Sequence, residues 1–184
     1  MLTHKGTVTL HTPRLTLRRF TPQDAQQMYD NWASDERVTR YLTWPPHDSP
    51  ESTRALLEIW CAQYDKPEYY QWVIEADGQA VGSISVVEHN ARSGWAELGY
   101  CLGHAFWGKG LMTEAVRAVC AYLFEEVGFH RLHIEHAVKN PASGAVARKC
   151  GFTLEGTRRE CFLSLSGEYL DISGYGMLRS EWRG

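Results

Sequence analysis

Gly108-Lys109-Gly110 stands immediately before a segment in which Ala115, Val116, Val119, Leu123 and Val127 recur at helical spacing. A helix N-terminus presents N–H groups with no intrahelical partner and the positive end of the helix dipole, so it suits phosphate oxygens. Glycine lets the backbone approach an anion closely and take positive φ, and Lys109 adds a cation. A tight turn leading into an ordinary helix would show the same two glycines. Gly103 to Gly110 also approaches the nucleotide-binding pattern G-x-x-x-x-G-K-[ST], but Gly110 stands where the magnesium-binding hydroxyl should be. Phe106 and Trp107 would also put two large side chains into a loop that has to wrap phosphate by its backbone. The P-loop reading is set aside.

Other groups of reactive side chains read as structural. His130, His133 and His136 tempt a metal reading, but His133 and His136 would point to opposite faces of a strand, so no metal site is expected. Five cysteines, an odd number without a C-x-x-C pair, argue against a disulfide framework or a zinc ribbon. Cys101, Cys120 and Cys150 sit in apolar patterns and read as core. Trp32, Tyr41 and Trp44, with Pro45-Pro46, could line a substrate groove or pack beneath that loop.

The elements that must position these residues follow from periodicity and turn chemistry. Arg14 to Phe20 reads as a strand, and Thr21-Pro22 as the cap and first position of a helix carrying Ala25, Met28, Tyr29 and Trp32. A second helix starts at Ser49-Pro50 and uses Leu56, Ile59 and Trp60. Tyr70 to Glu75 and Ala80 to Glu88 flank Asp77-Gly78, a hairpin signal, and Trp95 to Leu102 is a third strand of that meander. Leu111 to Val127 is a long helix ended by Gly128, and Arg131 to Val138 a strand. Asn140 to Cys150 is a shorter helix ended by Gly151, followed by a hairpin of Phe152 to Leu163 and Glu168 to Leu178. With 184 residues and no linker or repeat, residues 1–184 read as one α+β domain around a mixed sheet. A 43% hydrophobic, 22% charged composition is globular, and no apolar run reaches the roughly 20 residues of a membrane span. The first residues lead into no signal-peptide core, so a reducing cytoplasm is the simplest address. A net charge of −3 offers no basic field for nucleic acid.

The run Ala96-Glu97-Leu98-Gly99-Tyr100 through Trp107-Gly108-Lys109-Gly110-Leu111-Met112-Thr113-Glu114-Ala115 resembles the acetyl-CoA-binding core of the GNAT acetyltransferases. Asn140-Pro141-Ala142-Ser143 with Arg148 to Gly156 is similar to that family's next motif. Thr12 to Arg18, Gly167-Glu168-Tyr169 and Ser180-Glu181-Trp182 resemble the RimJ/RimL-type subgroup, which holds the ribosomal-protein N-terminal acetyltransferases. The resemblance implies the GNAT fold, a mixed and mostly antiparallel central sheet flanked by about four helices. It also implies acetyl-CoA as co-substrate and a single catalytic domain, monomeric or homodimeric.

Carried over by position, the pyrophosphate loop falls on Trp107, Gly108, Lys109, Gly110, Leu111 and Met112, with Thr113 adding a hydroxyl. Trp107 and Met112 depart from the general pattern, and the Gly-Leu-Met variant is a mark of the subgroup. Tyr100 and Leu102 complete the implied cofactor set with Asn140, whose side chain would bond the pantetheine arm or simply cap the helix. Direct attack on the thioester needs a neutral amine. A protein α-amine has a pKa of about 7.7–8.0 against about 10.4 for lysine, so an N-terminal acceptor needs only a modest base. Glu97 is the first candidate base and Glu160 the second, each with the alternative of an ordinary ion-paired carboxylate. Many relatives place a tyrosine at the position of Ala147 to protonate the thiolate; here Ser143 is the candidate replacement. The implied acceptor is a primary amine, foremost a protein N-terminus such as that of a ribosomal protein. A polyamine or aminoglycoside acceptor and a non-catalytic acyl-CoA sensor are the alternatives.

Overall fold

The structure, a computed structural model, describes residues 2–184. The chain forms eight strands: β1 (Leu10–His11), β2 (Thr16–Arg18), β3 (Gln71–Ala76), β4 (Gln79–Asn90), β5 (Trp95–Leu102), β6 (Arg131–Ala137), β7 (Thr153–Leu163) and β8 (Tyr169–Leu178). They form one sheet in the order β1-β2-β3-β4-β5-β6-β8-β7. Every neighbouring pair is antiparallel except β5 and β6, which run parallel. Among the described residues there are five α-helices: α1 (Ala25–Met28), α2 (Glu36–Thr39), α3 (Pro50–Cys61), α4 (Leu111–Ala121) and α5 (Pro141–Lys149). None is long and apolar enough to cross a membrane.

Strand alternation sorts the core onto two faces. Leu98, Leu102, Leu132, Ile134, Tyr175 and Met177 pack with Leu111, Val116 and Ala147, which puts α4 and α5 on one face. Val73 and Ala80 pack with Met28, Trp32, Val38 and Leu57, which puts α1, α2 and α3 on the other.

Several expected boundaries shift for local reasons. The strand expected over residues 14–20 is only Thr16–Arg18, because Thr12 to Arg14 turn to pair Leu10–His11 with it. The hairpin partner β1 and the helix α2 are too short to carry a periodic signal. Asp35 starts α2 by accepting from the Arg37 N–H at 2.9 Å. The first helical stretch is continuous but changes pitch, from a 3₁₀ turn at Pro22–Asp24 through α1 to a π turn at Tyr29–Ala33. The long helix likewise widens after Ala121 into a π turn, Tyr122–Val127, whose Tyr122, Leu123, Phe124 and Val127 are all buried; Gly128 (φ 94°) ends it. Ser49 caps α3 and Gly151 (φ 92°) follows α5, as their residue types imply.

The stretch carrying α1 is pinned to the sheet edge by one network. Arg18 on β2 reaches both Asp24 oxygens, at 2.9 and 2.8 Å, and Glu75 on β3 at 2.9 Å. Asp24 also accepts from the Thr21 N–H at 2.7 Å. Burial pushes the Asp24 carboxyl up, but the Arg18 and Thr21 hydrogen bonds outweigh it and hold the group below its ordinary value. A depressed folded-state pKa adds stability above the unfolded value of about 3.9 and loses it as pH falls through that window. Asp24→Asn is therefore expected to cost about 2–4 kcal/mol in urea denaturation at neutral pH and to flatten the loss of stability below about pH 4. Equal acid sensitivity in both proteins would remove Asp24 from this role.

Candidate active site

The site originates where two parallel strands part. β5 and β6 pair over only four residue pairs, from Trp95↔Arg131 to Leu98↔Ile134. Beyond Leu98, β5 stays with β4 (Tyr100↔Ile84, Leu102↔Gly82), while β6 stays with β8 (His136↔Ser173, Ala137↔Ile172). A register shift between Val86 and Glu88 marks a bulge that bends β4 beside this point. Gly99 makes room for the bulge, since a Cβ there would lie 2.6 Å from Val87 Cγ1. The parting leaves the β6-facing backbone groups of Gly99 to Leu102 without a strand partner.

A cavity of about 610 Å³ occupies the opening, a volume suited to a small-molecule site. Tyr100, Leu102, Leu111, Met112, Ser143 and Val146 line it on the α4–α5 face, and Val38, Arg40, Tyr41, Leu42 and Cys101 on the opposite face. The cavity therefore passes through the sheet. No Asp or Glu is among its lining residues.

The glycine loop closes one end. Gly108 and Gly110 take φ of 74° and 78°. The N–H groups of Gly108, Lys109 and Gly110 have no acceptor among the described residues, and those of Leu111, Met112 and Thr113 precede the first i−4 carbonyl of α4. Successive unpaired N–H groups at a helix start form an anion cradle. The loop is held from outside. Arg14 bonds Glu114 through Nε at 2.6 Å and the Lys109 carbonyl through Nη1 at 2.9 Å, and Thr12 donates to the same Glu114 carboxylate at 2.6 Å. Trp107 donates from Nε1 to the Leu102 carbonyl at 2.6 Å, which anchors the large side chain away from the N–H cradle. The bracing role of Arg14 carries no local sequence signal, since its partners lie 100 and 95 positions away.

The start of α5 closes the other end. Asn140 and Ser143 both line the cavity, and the Asn140 side chain makes no capping bond, so capping does not account for it. Ser143 Oγ lies 3.0 Å from the Tyr100 hydroxyl, which also reaches the Ser143 carbonyl at 3.2 Å. Burial pushes the Tyr100 hydroxyl well above its ordinary pKa, so it remains protonated.

Neither candidate base lines the cavity. Glu97 sits at the root of the parting, on the face opposite Tyr100, with Oε2 3.1 Å from His133 Nε2. Glu160 is exposed in an irregular part of β7, at φ 49°, and its N–H donates to Asp171 Oδ1 at 2.9 Å. Among the described residues no group of three His, Cys, Asp or Glu could hold a metal. Cys120 and Cys150 are buried, and burial pushes the Cys150 thiol up to about 11. Cys101 borders the cavity. Of the three aromatics proposed for a groove, only Tyr41 reaches it: Trp32 is wholly buried in the core and Trp44 packs against that core.

Because an added Cβ at Gly110 meets nothing closer than Arg14 Nη2 at 3.6 Å, Gly110→Ala tests φ strain rather than collision. It is expected to cost about 1–2 kcal/mol of stability and to weaken coenzyme A binding roughly tenfold by calorimetry. Unchanged affinity would remove the loop from phosphate binding.

A sequence model described as Acetyltransferase (GNAT) domain matches residues 14–153. YdaF of Bacillus subtilis (strain 168), provisionally named a ribosomal N-acetyltransferase, is 31% identical over 173 residues, 92% of this chain and 94% of the relative. The [ribosomal protein uS5]-alanine N-acetyltransferase of Escherichia coli (strain K12) is 25% identical, covering 95% of this chain and 93% of its own. The spermidine N(1)-acetyltransferase of Vibrio cholerae serotype O1 is 24% identical, covering 92% and 95%. The solved structure of RimL, a ribosomal L7/L12 alpha-N-protein acetyltransferase in complex with coenzyme A, superposes with a TM-score of 0.84 at 23% identity, over 93% of this chain and 98% of that one. The chain belongs to the GNAT family and is an acetyl-CoA-dependent N-acetyltransferase.

Proposed function

We propose that this acetyltransferase acts on the α-amine of a protein N-terminus. The observation that carries this reading is the lining of the cavity. It crosses the sheet from the glycine loop to α2, so acetyl-CoA and a chain terminus can enter from opposite faces, and no carboxylate lines it. A polyamine bound there would need carboxylates to balance its several ammonium groups. The names of YdaF and the uS5 enzyme support a protein acceptor. The five cysteines are all free, in keeping with a cytoplasmic enzyme.

In the reaction the neutral amine attacks the thioester carbonyl, the C–N bond forms, and the tetrahedral intermediate expels the coenzyme A thiolate. Gly108 to Thr113 would hold the pyrophosphate by their N–H groups, and Asn140 would bond the pantetheine amides. Ser143 Oγ would relay a proton to the departing sulfur, giving its own and taking one from solvent water, with Tyr100 fixing the hydroxyl. Glu97 would take the proton of the attacking amine through water from the opposite face; Glu160, exposed and farther along the sheet, is the second candidate.

Thiol release measured with N-terminal peptides, polyamines and aminoglycosides in parallel is expected to respond to peptides. A response to polyamines alone would overturn the proposal, and coenzyme A binding without release with any amine would make the chain a sensor. Ser143→Ala and Glu97→Gln are each expected to lower kcat on the order of 10²-fold with acetyl-CoA affinity nearly intact. An unaltered rate for Ser143→Ala would leave Ser143 a structural residue. For Glu97→Gln, the same kcat as the parent between about pH 6 and pH 9 would pass the base role to Glu160.

A further inference from the structure

The cations around the cavity divide between the two faces of the sheet. Lys149 lines the cavity at the end of α5, and Lys109 stands in the glycine loop with Nζ 5.3 Å from the Phe106 ring centroid, both on the face suited to phosphates. Arg37 and Arg40 stand on and just after α2, on the opposite face. The Arg37 guanidinium is committed to Asp35, at 2.7 Å through Nη2 and 2.9 Å through Nε. That of Arg40 has no carboxylate partner among the described residues, and it lies over the Tyr41 ring with Cζ 5.3 Å from the centroid.

Tyr41 is itself held in place, packed against the cluster of Ala137, Leu170 and Ile172. The sheet therefore fixes the platform on which the guanidinium rests. A guanidinium stacked on an aromatic ring keeps its N–H fork free at the edge, and the geometry of that fork matches a carboxylate. On the sheet face opposite Tyr100, Glu155 is paired with Arg131 and Glu135 with Arg158, and Glu97 lies 3.1 Å from His133 Nε2 beside Glu88 of the neighbouring strand. Asp171 accepts from the Glu160 N–H, and none of these carboxylates is paired with Arg40. Arg40 is left as an uncompensated cation at the acceptor mouth of a cavity that contains no carboxylate.

We infer that Arg40, seated on Tyr41, is a subsite for a carboxylate of the acceptor, so that the preferred substrate is an N-terminal peptide with Asp or Glu within its first few residues. This rests on the protein N-terminus reading above. The α-amine would lie in the parting of β5 and β6, and the acidic side chain would turn out toward α2. A polyamine would bring further positive charge against Arg40.

The test uses the full chain and three peptides identical except for Asp, Gln or Lys at the second and third positions, with spermidine as a fourth acceptor. Thiol release is followed with acceptor and acetyl-CoA varied in turn. For the parent, kcat/KM is expected to be about tenfold higher for the Asp peptide than for the Lys peptide. Arg40→Gln should level the series, and Arg40→Glu should invert it, through the acceptor KM and with the acetyl-CoA KM unchanged. Raising the salt concentration should narrow the parent's preference without any substitution, a reading that does not depend on a variant folding. Peptides acetylated without regard to charge would overturn the subsite while leaving the α-amine reading intact. So would an Arg40→Glu effect confined to the acetyl-CoA KM, which would assign Arg40 to the cofactor phosphates. Release with spermidine and with none of the peptides would overturn both.

Discussion

The constraint on which the site depends is that β5 and β6 stop pairing after Leu98 and Ile134. Two parallel strands that stayed together would close the sheet and satisfy each other's backbone groups. Parted, they leave a gap that side chains from both faces must line and a row of backbone donors and acceptors turned toward it. The bulge at Val87 and the absence of a side chain at Gly99 act at the same point, since a Cβ at residue 99 would lie 2.6 Å from Val87 Cγ1. The two helices that bound the gap begin at the ends of the parted strands, so their unpaired N–H groups converge on it. The site thus follows from topology before any reactive side chain is counted.

Holding the glycine loop is a separate task, given to residues far away in sequence. The ion pair of Arg14 with Glu114 is half exposed on the arginine side and, like other surface pairs, is worth about 0–1 kcal/mol. Its value is positional. Arg14 also holds the Lys109 carbonyl, so that oxygen is turned outward and the neighbouring N–H groups stay free to face the cavity. Glu114 meanwhile takes both Thr12 and Arg14, and joins the first hairpin to the first turn of α4.

Much of this was legible in the sequence, and the rest was not for identifiable reasons. Trp95 to Leu102 and Leu111 onward are bounded by glycine, the first with strand and the second with helical spacing of its apolar residues, so their starts were readable. A two-residue strand such as β1 and a four-residue helix such as α2 have no period to detect, yet Arg37 on α2 and Arg40 just after it line the cavity. The bracing by Arg14 joins residues 100 positions apart, and no local pattern encodes such a pair. Parity was readable in principle: Glu97 and Tyr100 are three apart on one strand and must face opposite sides. Placing Glu97 on the face opposite Tyr100 needed only that step, whereas choosing Tyr41 over Trp32 as the cavity aromatic needed the tertiary fold.

The hydroxyl pair of Tyr100 and Ser143 shows what burial contributes to the chemistry. Tyr100 has one proton and two acceptors within reach, Ser143 Oγ and the Ser143 carbonyl. If the proton goes to Oγ, the serine proton is left free to point into the cavity. If it goes to the carbonyl, the serine proton turns back to the tyrosine oxygen and the cavity loses its donor. Neither hydroxyl is an acid comparable with a thiol of pKa about 8.5, so a proton that reaches the sulfur through Ser143 has to be replaced from water. Tyr100, kept protonated by burial, serves to direct the serine. A sulfur that accumulates negative charge draws the serine proton toward itself, and that favours the arrangement in which Tyr100 donates to Oγ. In the proposed mechanism the donor would then be aimed most strongly when the C–S bond is breaking, which is the differential stabilisation that catalysis requires.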